Sequence, residues 1–167
     1  MLVAVDVDYR AAEAVAACVG FRAWTDAAPA VEVVVRTAGA PAAYQPGAFF
    51  RRELPPVLAA VRRLTVAPAI IVVDGYVWLG PGVPGLGARL HDALGQRVAV
   101  VGVAKRPFAG AAADARAILR GTSLEPLYVT AIGTSPDAAA TGVRAMHGPH
   151  RLPTLLKRAD QLARQTR

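Results

Sequence analysis

A mixed β-sheet with helices packed on it, an α/β architecture, is the fold class that this sequence predicts. Apolar and β-branched runs follow one another closely at the start of the chain. A long segment of helical spacing comes next, and from residue 69 onward strand-like and helix-like segments alternate. Leu2–Val7 is a short apolar run that carries Asp6 near its end, the pattern of a buried strand. Ala14–Trp24 and Val31–Arg36 also read as strands, the second through its β-branched Val31, Val33, Val34 and Val35. Short connections make these first strands antiparallel neighbours.

From Phe49 to Leu64, the residues Phe50, Leu54, Val57, Leu58, Val61 and Leu64 recur three or four apart, as on one helix face. Pro55 and Pro56 lie within that window, so the helix is expected to begin near Leu54 with a proline in its first turn. Ala69–Val73 is an uninterrupted apolar run leading into Asp74-Gly75, a buried strand that stops abruptly. Gly80–Gly87 reads as a loop, Leu86–Leu94 as a short helix and Val98–Val103 as an apolar strand. Ala111–Leu119 fits a short helix or a loop. Leu127–Ile132 reads as a last strand, followed by a helix over Ala138–Met146 capped by Ser135. An amphipathic helix over Pro153–Arg167 carries Leu155, Leu156, Ala159 and Leu162. Neither an internal repeat nor a linker interrupts the pattern, so residues 1–167 are expected to form one domain.

The chain holds 19 basic and 12 acidic residues, a net charge of +7. Such a surplus favours a polyanionic partner, either nucleic acid or an anionic membrane surface. Only Lys105 and Lys157 are lysines, and the chain is rich in alanine, so a coding bias toward arginine and alanine is the alternative reading of the surplus. The single cysteine, Cys18, rules out an intrachain disulfide and suits a reducing compartment. Met1–Arg10 contains two aspartates and lacks a secretory signal's basic head and long apolar stretch. No uncharged apolar run reaches the ~20 residues of a membrane span. A cytoplasmic location is expected.

The placement of the acids carries the functional signal. Asp6 ends the first strand, Glu53 starts the first helix, Asp74 ends a central strand and Asp137 starts a late helix. A carboxylate at the end of a buried strand is costly without a cation or hydrogen-bond partners. Asp6, Glu53 and Asp74 could therefore converge on one divalent ion such as Mg²⁺, which takes hard oxygen ligands and suits phosphodiester hydrolysis. The other reading is local: strand-end aspartates cap turns, and Glu53 suits a helix N-terminus. Spacing alone leaves both open.

Five segments, in order, resemble the endonuclease V family. They are Val5-Asp6-Val7-Asp8-Tyr9, then Tyr44-Gln45-Pro46-Gly47 with Phe50-Arg51-Arg52-Glu53, then Val72-Val73-Asp74-Gly75. Val101-Gly102-Val103-Ala104-Lys105 and Arg151-Leu152-Pro153 complete the set. The resemblance implies a ribonuclease H-like fold, a mixed sheet whose leading strands are antiparallel and whose later ones are parallel, flanked by helices. It implies Mg²⁺ or Mn²⁺ at Asp6, Glu53 and Asp74, with Lys105 close to the scissile phosphate. It further implies that Tyr44, Gln45, Pro46 and Gly47 form a loop that wedges into the nucleic acid beside a deaminated, inosine-type base. That base turns into a pocket, and cutting falls one phosphodiester further 3′. Extrusion costs less for a base already mispaired.

The chain departs from the family pattern in two places. Tyr76–Gly82 replaces a stretch with His-Pro-Arg, and Gly133-Thr134-Ser135-Pro136 replaces Gly-His-Arg-Val-Ser, so Thr134 stands where a histidine near the metal site is expected. Asp137 aligns with a following aspartate and joins the candidate metal ligands. Gly75 and Tyr76, next to Asp74, are candidate nucleic-acid contacts; Tyr76 either stacks on a base or packs under the proline-rich loop. His91, His147 and His150 show no metal-ligand spacing. The expected function is metal-dependent endonucleolytic cleavage of inosine-containing DNA or RNA, in a divergent, shortened member of the family. The alternatives are a nucleic-acid-binding protein of the same fold without catalysis, and a protein- or small-molecule-binding domain with a dead site.

Overall fold

The computed structural model describes residues 1–38 and 50–165. The three leading runs form β1 (Leu2–Tyr9), β2 (Glu13–Phe21) and β3 (Val31–Ala38). They pair antiparallel in sequence order, with Val5 opposite Cys18 and Ala17 opposite Val34. β4 (Ile70–Asp74) lies parallel to β1 with Val5 beside Val73. β7 (Ala99–Ala104) lies parallel to β4 with Asp74 beside Val103. β9 (Leu127–Ile132) then runs antiparallel to β7, and β8 (Arg116–Ile118) closes that edge. Among the described residues seven strands make one sheet in the order β3-β2-β1-β4-β7-β9-β8. Four helices flank it. This is the ribonuclease H-like arrangement.

Strand pleating sends alternate side chains to opposite faces and so divides the core. Val3, Val5, Ile71, Val73 and Val100 pack under α1 (Phe50–Val61) and α2 (Leu86–Ala93). On the other face, Val72, Val101 and Val103 meet α3 (Pro136–Ala145). Leu2, Ala4 and Phe21 meet Leu155 and Ala159 of α4 (Thr154–Gln165). Ser135 caps α3, its side chain accepting from the Ala138 N–H at 3.1 Å. Cys18 is wholly buried in the first core, where burial pushes its thiol up to about 12, so it is a packing residue rather than a nucleophile. No described helix is long and apolar enough to cross a membrane.

Three segments differ from the sequence expectation. α1 begins at Phe50, ahead of the two prolines, which therefore lie inside it. Arg51 and Pro55 are both exposed, so the carbonyl that Pro55 cannot bond is open to water. Within the Gly80–Gly87 segment and just before it, β5 (Trp78–Gly80) and β6 (Val83–Pro84) form a small hairpin. Ala111–Leu119 contains neither a continuous helix nor only loop: a 3-10 turn over Ala109–Ala111 leads to β8, whose three residues carry too little period to be read.

Gly102 governs how closely the turn after β4 approaches β7. A β-carbon there would lie 2.4 Å from the Gly75 carbonyl oxygen and 2.9 Å from the Val77 nitrogen. That nitrogen donates to the Thr130 hydroxyl at 2.9 Å, and Gly75 itself has φ +127°, which disfavours a side chain. Gly102→Ala is expected to destabilise the fold by about 1–3 kcal/mol through overpacking and to displace the Gly75–Val77 turn. A denaturant titration checks it; a midpoint equal to that of the unaltered protein would contradict the close approach.

Candidate functional site

The site lies where the parallel strands end. Because Val5 sits beside Val73, the next step along each strand brings Asp6 next to Asp74. Pleating gives Asp6 the face of Leu2 and Ala4, and gives Asp74 that of Val72, so both are on the side covered by α3 and α4. Lys105, two residues beyond Val103, shares that face. Glu53 arrives from the opposite side of the sheet on the first turn of α1. Two arginine–aromatic contacts pin that turn: the Arg52 guanidinium lies 3.9 Å above the Tyr9 ring centroid, and Arg89 lies 3.7 Å above that of Phe50.

Asp6, Glu53 and Asp74 together bound a cavity of about 10 Å³, near the smallest space that accepts one water-sized occupant. Burial raises the Asp6 carboxyl to about 7, with the Asp74 and Asp160 charges adding to the rise and Lys105 opposing it. Burial likewise raises Glu53 to about 8, helped by Asp6 and Asp74 and opposed by Arg52. Asp74 is half-exposed and accepts from the Lys105 ammonium at 2.6 Å. Crowded, partly desolvated carboxylates are the donor chemistry of a hard divalent cation. Among the described residues no three acid, histidine or cysteine side chains stand in a ligating arrangement. The chemistry of the donor set and the size of the cavity suit a hard divalent ion.

Asp160 is the residue that sequence reasoning missed. It projects from α4 into a second small cavity, about 30 Å³, which it shares with Asp6, Asp74 and Lys105. Its signal was available, since it is the sole acid between Gly142 and Arg167 and falls one turn after Leu156 on the buried side of the helix. Arg164 holds it at 2.7 Å.

Asp137 is placed elsewhere. β9 runs antiparallel to β7, so its end at Ile132 lies beside Val100, roughly 10 Å along the strand from Val103. α3 therefore starts beyond that end of β9, and Asp137, 76% exposed, pairs at 2.6 Å with Arg116 of β8, the edge strand separated from β4 by β7 and β9. Gly133 packs there against Ala99 and His91, so the Thr134 departure is also remote from Asp6 and Asp74. Gly75 and Tyr76 do adjoin the acids, lining a cavity of about 240 Å³ with Phe50, Glu53, Asp74 and Phe108. Tyr44, Gln45, Pro46 and Gly47 lie outside the described residues.

The family model described as Endonuclease V matches residues 1–161. The chain belongs to the endonuclease V family. An endonuclease V of Streptomyces avermitilis is 32% identical over 142 residues, covering 73% of this chain and 61% of the relative. That of Streptomyces coelicolor is also 32% identical, covering 72% and 59%. The match thus spans about three fifths of the length of these relatives. The crystal structure of the Streptomyces avermitilis endonuclease V superposes with a TM-score of 0.78 at 27% identity, covering 98% of this chain and 79% of that one. A Ciona intestinalis endonuclease V, solved with a 24mer DNA containing an inosine followed by a ribo-adenosine, superposes with a TM-score of 0.81. It covers 98% of this chain and 84% of its own, and at 16% identity that likeness concerns the fold.

Proposed function

We propose that residues 1–167 are one endonuclease V-type nuclease domain that hydrolyses a phosphodiester 3′ to a deaminated, inosine-type base in DNA or RNA. The observation that carries this reading is the shared cavity: three carboxylates from two parallel strands and a helix bound one ion-sized space, and Lys105 pairs with one of them, Asp74. Asp6, Glu53 and Asp74 would hold Mg²⁺ (or Mn²⁺), which when bound supplies activation of water and stabilisation of the leaving oxygen. Asp160 adds a fourth carboxylate from the α4 side. Lys105 neutralises Asp74 in the free protein and stands ready to exchange that carboxylate for a substrate phosphate. The cavity beside Gly75 and Tyr76 receives the extruded base, and Tyr44 is the wedge that separates it from its neighbours.

Cleavage of end-labelled inosine, mismatch, flap and fully paired substrates, with Mg²⁺ and with Mn²⁺, tests the reading. Inosine strands should be cut in preference to the others. No cutting of any substrate at enzyme excess would leave the binding-only alternative. Lys105→Ala should slow cutting about 100-fold, the scale of removing one preorganised charge-stabilising donor, with strand affinity little changed. Tyr44→Ala should reduce the preference for inosine strands more than it reduces general, salt-sensitive binding; equal losses in the two would count against a wedge.

A further inference from the structure

Tyr76 and Phe108 form a wall with a cavity on each side. Their ring centroids are 6.0 Å apart with planes tilted by 47°. The Tyr76 hydroxyl donates to the Arg106 carbonyl at 2.7 Å, which fixes the wall to the loop after β7. One side is the 240 Å³ cavity that Glu53 and Asp74 also line. The other is a largely apolar cavity of about 400 Å³, bounded by Pro107, Ala112, Ala117 and Tyr128. Pro107 and Tyr128 also belong to a third cavity, about 560 Å³, whose cations are Lys105, Arg106 and Arg151. The one acid there, Glu125, is taken by Arg151 at 2.6 Å. Arg106 makes no side-chain ion pair among the described residues.

We propose that the Phe108–Tyr128 cavity seats a second nucleobase, that of a nucleotide adjoining the extruded one, on a single-stranded segment of the substrate. This rests on the nuclease reading above. Phe108 is 47% exposed, so part of its ring is open to solvent beside the cavity. Flat aromatic faces beside a basic groove are how unpaired strands are held: every base offers a face to stack, and cations track its phosphates. The occupant is a nucleic-acid strand rather than a neutral small molecule because the adjoining cavity, which shares Pro107 and Tyr128 with this one, is cationic and because the wall is shared with the cavity at the acids.

The test uses the full chain and labelled single strands of thymidine holding one inosine, with the base on either side of it removed in turn, and Ca²⁺ in place of Mg²⁺. In the unaltered protein, removal of one neighbouring base should weaken binding about 10-fold, the scale of one base–aromatic stack. Tyr128→Ala, which opens the cavity, and Ala117→Trp, which fills it from the exposed face of β8, should both abolish that dependence while still preferring inosine strands. Should Tyr128→Ala fail to fold, Ala117→Trp carries the comparison. An undiminished neighbour-base effect in Ala117→Trp, or none in the unaltered protein, would overturn the second seat even if inosine strands are cut normally. A neighbour-base effect lost in Ala117→Trp, in a protein that cuts nothing with Mg²⁺, would support the seat and reject the nuclease reading.

Discussion

Asp6→Asn should slow cleavage of inosine strands by at least about 100-fold, because changes at residues merely supporting a metal ligand already cost 10–100-fold. The same change should raise the melting temperature of the metal-free protein in alkaline buffer. The second effect follows from the raised carboxyls of Asp6, about 7, and Glu53, about 8. A carboxyl whose folded value lies above its unfolded one binds protons more tightly when folded, so it stabilises only while protonated. That contribution is complete below about pH 4 and fades as pH rises through about 7 for Asp6 and about 8 for Glu53. Metal-free protein should therefore lose melting temperature across this window, from this site, and Mg²⁺ should restore it at the alkaline end by binding only the folded form. Asp74→Asn should remove most of the Mg²⁺ response. A melting temperature indifferent to millimolar Mg²⁺ at pH 8.5 would refute a metal site at these acids.

Arg120→Met should cost about 3–5 kcal/mol, the range for changes that strip a buried polar network of its centre. Arg120 is 5% exposed, and its guanidinium donates to five backbone carbonyls, those of Arg144, Met146, Gly148, His150 and Arg151. These carbonyls belong to the end of α3 and the loop into α4. Methionine fills the volume but offers no donors, and each buried carbonyl left unpaired costs ~1–3 kcal/mol before the loop relaxes. A fall of roughly 10 °C in melting temperature is expected for a chain of this size. Since that loop leads to α4, Asp160 should shift with it, and the Mg²⁺ response should weaken in the variant. A fall under about 2 °C would mean that the loop holds itself without Arg120.

Much of this architecture was legible because buried strands write themselves in apolar runs. β9 was read at the bounds the structure gives, and β1, β4 and β7 within a residue or two. Asp6, Glu53 and Asp74 stood out as charges at the ends of such runs, where burial makes a charge costly unless something answers it. The start of α1 was misread because local proline propensity points to Leu54, whereas packing of Phe50 and Leu54 against the sheet carries the helix back ahead of Pro55.

What composition and periodicity determined about this chain is which residues are buried and which strand face each one takes, since the pleat alternates by a fixed rule. Short connections already made β1, β2 and β3 antiparallel neighbours; only the tertiary structure decided the register of the strands and the order and direction of the later ones. Register sets Asp6 beside Asp74, whereas Asp137, beyond the end of β9, pairs with Arg116 on the edge strand β8. The crossing of α4 over β1 brings in Asp160, more than 150 positions along the chain from Asp6. Such long-range pairings are fixed by the packing of faces whose partners lie far away in sequence, and no local pattern records them.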